Sequence, residues 1–307
     1  MFRIPVALVI FPGFLSAMAN GKNPIFTGAD PHAAVINGHV WIYPTRSKGG
    51  ANFMAFELSD KKTWDERGPV LDFRNVSWLR GDRAAAPWAP CIAQKGTKFF
   101  FYYSVGPQSE GHPSRIGVAS GNSPAGPFDD SGAALLTGGD GFEAIDPMVF
   151  EDPQSRKFYL YAGGSNGSKL CVFELGESMM QLKKEIPVEN PKNYTEGPFM
   201  HFQGGLYHLT YSHGGWRDSS YSVHHCTSKT PFGPWEYRGA ILTSDDHNKG
   251  PGHHSIIQYP AGGNWFIIYH RWNNRRGDGP YNGARETCLD KLVHNPDGTI
   301  APVIMTD

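Results

Sequence analysis

The chain has 307 residues, with 28 basic and 29 acidic side chains and a formal net charge of −1 at pH 7. This balance gives no argument for binding nucleic acid or an anionic membrane surface. Charged residues are few, at 19%, whereas aromatic residues reach 13% and the chain holds 37 Gly and 24 Pro. This composition argues against a disordered chain and favours a turn-rich β protein.

The N-terminal residues have the pattern of a secretory signal. Arg3 supplies a basic start, residues 4–18 are mostly apolar, and Ala17-Met18-Ala19 is a small-x-small cleavage site. The apolar run is too short to span a bilayer comfortably. We therefore predict a signal peptide over 1–19 and a secreted or periplasmic protein that is not membrane-bound after cleavage. A buried N-terminal strand is the alternative.

A pattern that begins at Asp30-Pro31 returns four times along the chain. After this dipeptide come an apolar stretch, Asn37-Gly38 and an aromatic run over 39–43, which is typical of two strands joined by a tight turn. The later copies begin at Ala89, Asp146, Glu196 and His253, so the starts are 59, 57, 50 and 57 residues apart. A period near 50 residues indicates a β-propeller. We predict an all-β fold in which residues 20–307 form a single five-bladed β-propeller.

The five repeat units are predicted over 20–87, 88–136, 140–185, 190–243 and 250–304. In the third unit, Met179 to Glu185 suggests a short turn of helix that Pro187 ends. In the fourth, the polar and aromatic loop from His213 to Asp218 has no role that the sequence assigns. The four cysteines lie in different units, fit no zinc spacing and predict no specific bridge.

Equal repeat positions converge at one end of a propeller axis, because the first strand of each blade lines the central channel. Three of these positions hold the carboxylates Asp30, Asp146 and Glu196, and a fourth holds His253. Like charges held close together raise one another's pKa and destabilise a fold, so this arrangement favours function over simple turn capping. Glycoside hydrolysis uses one carboxylic acid to protonate the leaving oxygen and one carboxylate to activate water. A third carboxylate can tune the acid.

The chain resembles glycoside hydrolase family 43, the five-bladed β-propeller glycosidases. The ordered set that carries the resemblance covers nearly all of the mature chain: Asn23-Pro24, Ala29-Asp30-Pro31, Trp88-Ala89-Pro90, Ile145-Asp146-Pro147, Thr195-Glu196-Gly197-Pro198 and Gly252-His253-His254-Ser255. The resemblance implies that Asp30 is the general base, that Asp146 orients and tunes the acid, and that Glu196 is the general acid. It also implies inversion of the anomeric configuration.

Other site residues follow from the same resemblance. His253 matches an axial histidine that, in many members, holds a water-ligated calcium or positions the base; a hydrogen-bonded core histidine is the alternative. Arg285 matches an arginine that reaches a substrate hydroxyl in relatives, with a surface ion pair as the alternative. Trp88 is predicted to stack on a sugar face, unless it only packs in the core. Further substrate-binding candidates are His32, Phe199 and Trp216.

We expect an exported, exo-acting, inverting glycosidase of plant cell-wall polysaccharide or its oligosaccharides, working as a monomer and with no cofactor other than calcium. The resemblance most often implies α-L-arabinofuranosidase or β-xylosidase activity, while endo-arabinanase and galactanase stay open. A non-catalytic carbohydrate-binding propeller is the alternative, although binding alone does not need three clustered carboxylates. A protein-interaction propeller is disfavoured because Trp-Asp and kelch-type repeats are absent.

Overall fold

The computed structural model describes residues 22–46, 50–59, 63–109 and 111–307. The predicted signal peptide, 1–19, lies outside these ranges. In the described residues the secondary structure is almost entirely β, with two single-turn 3₁₀ helices at Phe73–Asn75 and Ser77–Leu79. No helix in this part of the chain is long and apolar enough to cross a membrane.

The strands form five sheets, one for each blade, and every strand pair is antiparallel. Blade I contains β2 (Ala29–Ile36), β3 (His39–Thr45), β4 (Asn52–Leu58) and β5 (Trp64–Asp72). Blade II contains β6 (Ala86–Lys95), β7 (Lys98–Gly106), β8 (Arg115–Gly121), β9 (Asp129–Asp130) and β10 (Leu136–Thr137). Blade III contains β11 (Met148–Glu151), β12 (Phe158–Ala162), β13 (Cys171–Leu175) and β14 (Leu182–Ile186).

Blade IV contains β15 (Glu196–Gln203), β16 (Leu206–His213), β17 (Ser222–Ser228) and β18 (Glu236–Leu242). Blade V contains β19 (Lys249–Tyr259), β20 (Asn264–Trp272), β21 (Glu286–Leu292) and the short N-terminal strand β1 (Phe26–Thr27). The first strands of successive blades contact one another around a common axis. The prediction of an all-β, five-bladed propeller is therefore confirmed.

The hydrophobic core lies between neighbouring blades, since each sheet has two apolar faces. At the junction of blades I and II, the Phe53 ring packs edge-on against Phe101, with centroids 5.3 Å apart. Tyr103 lies 6.1 Å from the same ring. All three side chains are fully buried. The aromatic runs seen in the sequence thus become the packing surfaces that hold adjacent blades together.

The N-terminal strand closes the ring by completing the last blade. In β1, Phe26 pairs with Thr287 and Thr27 pairs with Glu286 of β21. Asn23 extends the closure, because its side chain donates to the Leu289 carbonyl at 3.0 Å and accepts from the Leu289 amide at 2.9 Å. Asp30 lies only three residues beyond β1, so this closure also fixes the position of Asp30 relative to blade V.

One local prediction was wrong. The segment from Met179 to Glu185 does not form a helical turn; Leu182–Ile186 is the outermost strand of blade III and pairs with β13. Tertiary pairing decides the outcome here, because hydrogen bonds to an existing strand outweigh a weak local helical preference.

The four cysteines are free and buried. Burial raises the pKa of the Cys91 thiol to about 12 and that of Cys226 to about 11. These side chains therefore behave as small apolar core residues, not as reactive thiols.

Candidate active site

The same irregular turn lies just before the first strand of a blade or within the first half of that strand. At its centre one residue has a left-handed backbone conformation, with φ of 48° at Asp30, 32° at Ala89, 59° at Asp146 and 38° at His253. In blade IV this conformation belongs to Gly197, with φ of 60°. The repeat position of blade IV is thus Gly197. The predicted equivalence of Glu196 with Asp30 was therefore wrong by one residue, because blade IV places its carboxylate just before the turn.

The turn leaves one backbone N–H that the blade's own sheet does not use, and a side chain of the preceding blade accepts it. For four of the turns, the acceptor side chain lies at an equivalent position, near the end of the second strand of the preceding blade. The pairs are Asp30 N with His270 Nδ1 at 3.0 Å, Ala89 N with Thr45 Oγ1 at 2.6 Å, Asp146 N with Ser104 Oγ at 2.9 Å and His253 N with Ser212 Oγ at 2.8 Å. These bonds join the blades in register around the axis.

Blade III breaks this pattern, and the exception shapes the site. Its equivalent second-strand residue is Gly163, whose N–H pairs with the Ile145 carbonyl. A Cβ added at Gly163 would lie 2.0 Å from the Lys169 carbonyl oxygen, so no serine or threonine fits. The N–H of Gly197 donates instead to Asp146 Oδ2, at 3.0 Å. The Asp146 carboxylate is thereby held beside the backbone that carries Glu196.

The turns open onto a cavity of about 240 Å³ at one end of the axis. Its lining residues are Asp30, Trp88, Glu143, Ile145, Asp146, Ser165, Glu196, Trp216, His253 and Arg285. The structure therefore brings together seven of the nine candidate site residues named from the sequence, including all three acids, which are far apart in the sequence. Asp30, Asp146 and Glu196 are all buried.

Asp30 lies among cationic and hydrogen-bonding groups. Arg285 Nη1 is 2.9 Å from Asp30 Oδ1, and His253 Nδ1 is 3.5 Å from the same oxygen. Burial alone would raise the pKa of Asp30, but Arg285, His253 and His270 together hold it well below its ordinary value. Asp30 is therefore ionised near neutral pH, which is the form that accepts a proton.

Glu196 has the opposite environment. Burial raises its pKa to about 7, and the negative charges of Asp30 and Glu143 add to this effect. The Tyr221 hydroxyl donates to Glu196 Oε1 at 2.6 Å, which opposes the shift. Burial, followed by the charges of Glu196 and Asp30, also raises the pKa of Asp146 well above its ordinary value. Burial and neighbouring negative charge thus favour the protonated forms of Asp146 and Glu196, whereas Asp30 stays ionised.

A model of the family Glycosyl hydrolases family 43 matches residues 21–300. The chain belongs to this family. It is therefore a glycoside hydrolase, as its sequence predicted. The family assignment and the clustered acids agree, because hydrolysis of a glycosidic bond needs carboxyl groups in two protonation states.

Curated and structural relatives of this family 43 enzyme cover nearly the whole chain. The beta-D-galactofuranosidase xynD of Aspergillus niger is 36% identical and aligns with 92% of this chain and 85% of its own length. An arabinoxylan arabinofuranohydrolase of Bacillus subtilis (strain 168) is 30% identical, with 92% of this chain and 64% of that protein covered. A solved β-xylosidase/α-arabinofuranosidase from a compost microbial metagenome, in complex with xylotriose and calcium-free, has a TM-score of 0.73 at 26% identity over 92% of this chain and 98% of its own.

Glu143 and Tyr221 belong to the site but were not predicted from the sequence. Glu143 is buried, lines the cavity, and accepts a hydrogen bond from the Asn166 amide at 2.8 Å through Oε2. In the sequence, its position three residues before Asp146 was the feature that could have indicated a place in the site. Tyr221 precedes β17 and reaches Glu196 only through the fold, so no spacing pointed to it.

Two tryptophans line the cavity. Trp88 packs against Gly106, where an added Cβ would lie 2.2 Å from the indole ring. Trp216 is 41% exposed and lies under the Arg285 guanidinium, whose carbon is 4.7 Å from the ring centroid. Trp272 Nε1 donates to the Trp216 carbonyl at 3.0 Å and anchors this loop. The loop to which the sequence assigned no role therefore supplies part of the cavity wall.

His32 and Phe199 are not among the residues that line the cavity. They lie beyond the turns, along the first strands of blades I and IV. The His32 and Phe199 ring centroids are 6.3 Å apart, and His32 Nε2 is 3.7 Å from Cys91 Sγ. Both side chains are buried. Their rings pack between the first strands of different blades, and their predicted substrate-binding role stays a prediction.

The surroundings of His253 do not fit a calcium cage built from protein. Calcium prefers about six to eight oxygen ligands. The described groups nearest to His253 Nδ1 are Asp30 Oδ1 and Asp146 Oδ2, each 3.5 Å away. These two oxygens already accept hydrogen bonds from Arg285 and Gly197. The geometry is that of an imidazole placed between two carboxylates.

Proposed function

We propose that this family 43 enzyme is an exo-acting, inverting α-L-arabinofuranosidase of plant cell-wall polysaccharide or its oligosaccharides. The observation that carries the proposal is the pairing of an ionised Asp30 with a Glu196 whose pKa is raised to about 7, in one small cavity. An inverting glycosidase needs this pair of states at once.

The chemistry follows from these states. Asp30 takes a proton from water as that water attacks the anomeric carbon, and Glu196 gives its proton to the departing glycosidic oxygen. Asp146 accepts a hydrogen bond from the Gly197 amide and so orients the backbone that carries Glu196. Arg285 keeps Asp30 ionised through its hydrogen bond and its positive charge.

The size of the cavity favours action on one terminal sugar. Its volume of about 240 Å³ is below the range of about 300–1,000 Å³ that is typical of small-molecule sites, which favours a single sugar residue. A furanose is favoured over a xylopyranose because two relatives at 30% identity or more are named as a galactofuranosidase and as an arabinoxylan arabinofuranohydrolase.

A β-D-galactofuranosidase is the second candidate, and the 36% identical relative favours it. The two sugars have the same ring stereochemistry, since β-D-galactofuranose is α-L-arabinofuranose with one more hydroxymethyl group on its exocyclic carbon. One catalytic geometry can therefore act on both. The space next to that carbon determines which of the two furanosides is the better substrate. A group of this size changes kcat/KM by about 10–200-fold.

The test compares kcat/KM on aryl α-L-arabinofuranoside, aryl β-D-galactofuranoside and aryl β-D-xylopyranoside. We expect the arabinofuranoside to be preferred, and preference for either other glycoside would refute the proposed sugar. On arabinan and arabinoxylan we expect free arabinose as the first product, whereas early oligosaccharides would indicate endo action. NMR of the first-formed anomer reports inversion, which retention of configuration would contradict.

We also propose that the enzyme acts outside the cytoplasm and as a monomer, and that His253 holds a calcium ion through the water molecules around the ion. Export rests on the N-terminal pattern over 1–19, and N-terminal sequencing of secreted protein should begin at Asn20. Light scattering in solution reports the oligomeric state. Adding calcium to chelator-treated enzyme should restore kcat/KM, and an unchanged kcat/KM would remove calcium from the proposal.

A further inference from the structure

A cluster of histidines lies at the far end of blade IV from the cavity. His201 on β15 and His208 on β16 are directly opposite in the sheet. His294 reaches them from the segment that follows β21. His201 is five residues along β15 from Glu196, which is roughly 16 Å for an extended strand. The catalytic mechanism uses none of these rings.

The ring nitrogens are close enough to share one ion. His201 Nε2 is 2.8 Å from His294 Nε2. One ligand nitrogen from each of the three residues lies within 4.8 Å of the others. Two nitrogens bound to the same zinc ion are at most about 4.2 Å apart, because each Zn–N bond is about 2.0–2.1 Å. Small ring rotations therefore suffice to bring all three onto one ion.

Hydrogen bonding does not account for the whole cluster. His208 Nε2 lies 3.2 Å from the Gln203 carbonyl oxygen, and its Nδ1 lies 3.0 Å from His225 Nε2. Among the described residues, no group accepts from or donates to the buried Nδ1 atoms of His201, His225 and His294. In His201 and His294 these Nδ1 atoms are on the other side of the ring from the Nε2 atoms that face one another, so a complete hydrogen-bond network does not hold the rings in place.

The cluster offers imidazole nitrogens as its ligand atoms, and the His201 and His208 rings that carry them are buried. Neutral imidazoles offer a lone pair to a cation and need no carboxylate partner. Imidazole ligands favour zinc, copper and nickel over calcium or magnesium.

We propose that His201, His208 and His294 form a binding site for one zinc ion. The Gln203 carbonyl oxygen, already beside His208, or a water molecule completes a tetrahedral set. The site is structural, since it lies away from the cavity and its rings are largely buried.

The position of His294 indicates what the ion would do. His294 belongs to the C-terminal segment, which leaves blade V and crosses to blade IV, where the Val303 amide donates to the Ile241 carbonyl at 2.7 Å. Gly298 of this segment packs on Leu206, next to the hairpin that carries His208. Zinc would therefore hold the C-terminal segment against blade IV and so stabilise the interface between blades IV and V. Pairing of β1 with β21 holds the N-terminal segment against blade V in a similar way.

The test uses the full mature chain after chelator treatment, with zinc chloride as the probe. Calorimetric titration should give one zinc per chain, and saturating zinc should raise the unfolding temperature by a few degrees. X-ray absorption at the zinc edge should show imidazole nitrogens at about 2.0–2.1 Å. Magnesium should produce neither effect.

His294→Gln is the main variant, because His294 is only partly buried and lies in a connecting segment. His247→Gln, at an exposed histidine outside the cluster, is the matched control. We expect His294→Gln to lose the zinc-dependent shift while His247→Gln keeps it, and both to retain wild-type kcat/KM, which shows that they are folded. Wild-type protein that binds no zinc, or an equal zinc effect in His294→Gln, would overturn the proposal whatever the enzyme's substrate.

Discussion

Blades I and II begin with the same backbone turn but carry different chemistry. Asp30 and Ala89 both have left-handed φ angles, both precede proline, and both donate their N–H to a side chain of the preceding blade. A left-handed conformation at a residue with a Cβ costs roughly 1–2 kcal/mol. Its presence at Ala89 shows that the turn belongs to the propeller architecture. The carboxylate of Asp30, which needs Arg285 and His253 around it, belongs to the function.

Asp30→Asn is the sharpest way to separate the carboxylate from the turn. Asparagine preserves the shape and tolerates a left-handed φ, but it cannot take a proton from water. We expect kcat/KM to fall by about 10²–10⁴-fold, equally on natural and on activated aryl substrates. The control, Ala89→Gly, changes the equivalent turn without removing a carboxylate and should leave kcat/KM within a few-fold. Equal losses in both variants would mean that the turn, not the charge, limits catalysis.

Glu196→Gln tests whether Glu196 has a different role from Asp30. Glu196 lies one residue before the turn position of blade IV, whereas Asp30 occupies the turn position of blade I. Natural glycosides need their leaving oxygen protonated, whereas activated aryl glycosides leave without help. We expect a loss of about 10²–10⁴-fold on natural substrates and a much smaller loss on activated ones. Measuring kcat/KM against leaving-group pKa checks this. An equal loss across the series would contradict the assignment of Glu196 as general acid.

Two of the side chains that accept hydrogen bonds from the turns can be compared by their effect on the free energy of unfolding. Thr45→Val removes the acceptor for the buried Ala89 N–H, and Ser212→Ala removes that for His253. Each should lower the free energy of unfolding by about 1–3 kcal/mol, measured by urea denaturation. Only Ser212→Ala should also lower kcat/KM, because His253 contacts both Asp30 and Asp146. Thr45→Ser, which keeps the hydroxyl, is the control, and a comparable loss of activity in Thr45→Val would contradict this division.

Glu143→Gln should produce the smallest effect, visible mainly in the pH profile. Glu196 must be protonated to act, so kcat/KM should fall as the pH rises through about 7. The charge of Glu143 helps to raise the pKa of Glu196 and that of Asp146. Its removal should lower both pKa values and move the alkaline limb to lower pH. An unshifted or opposite limb would show that Glu143 does not tune the acid.

The sequence predicted the three acids and the fold for the same reason. Asp30, Asp146 and the segment around Glu196 recur at a spacing near 50 residues, and a repeat of that length converts sequence position into position around an axis. The sequence did not show that Glu196 lies one residue before the turn position, because Glu196-Gly197-Pro198 closely resembles the Asp-Pro that begins other blades. Only the left-handed φ of Gly197 shows where the turn lies. The sequence pattern also did not indicate that the side chains of His32 and Phe199 lie outside the lining of the cavity, because it does not tell which side chains beyond the turn face it.

The sequence by itself determined the number of blades, most of their inner strands and the residues available at the axis, because alternating apolar runs and turn residues are local features. Tertiary structure alone decided which charges meet. Arg285 reaches Asp30 because β1 pairs with β21 across the closing blade. Tyr221 and Glu143 approach Glu196 by packing, and Gly163 redirects the Gly197 amide to Asp146 because the Lys169 carbonyl leaves no space for a side chain. The pKa of each acid depends on these distances and on burial, and neither is encoded in any local stretch of the chain.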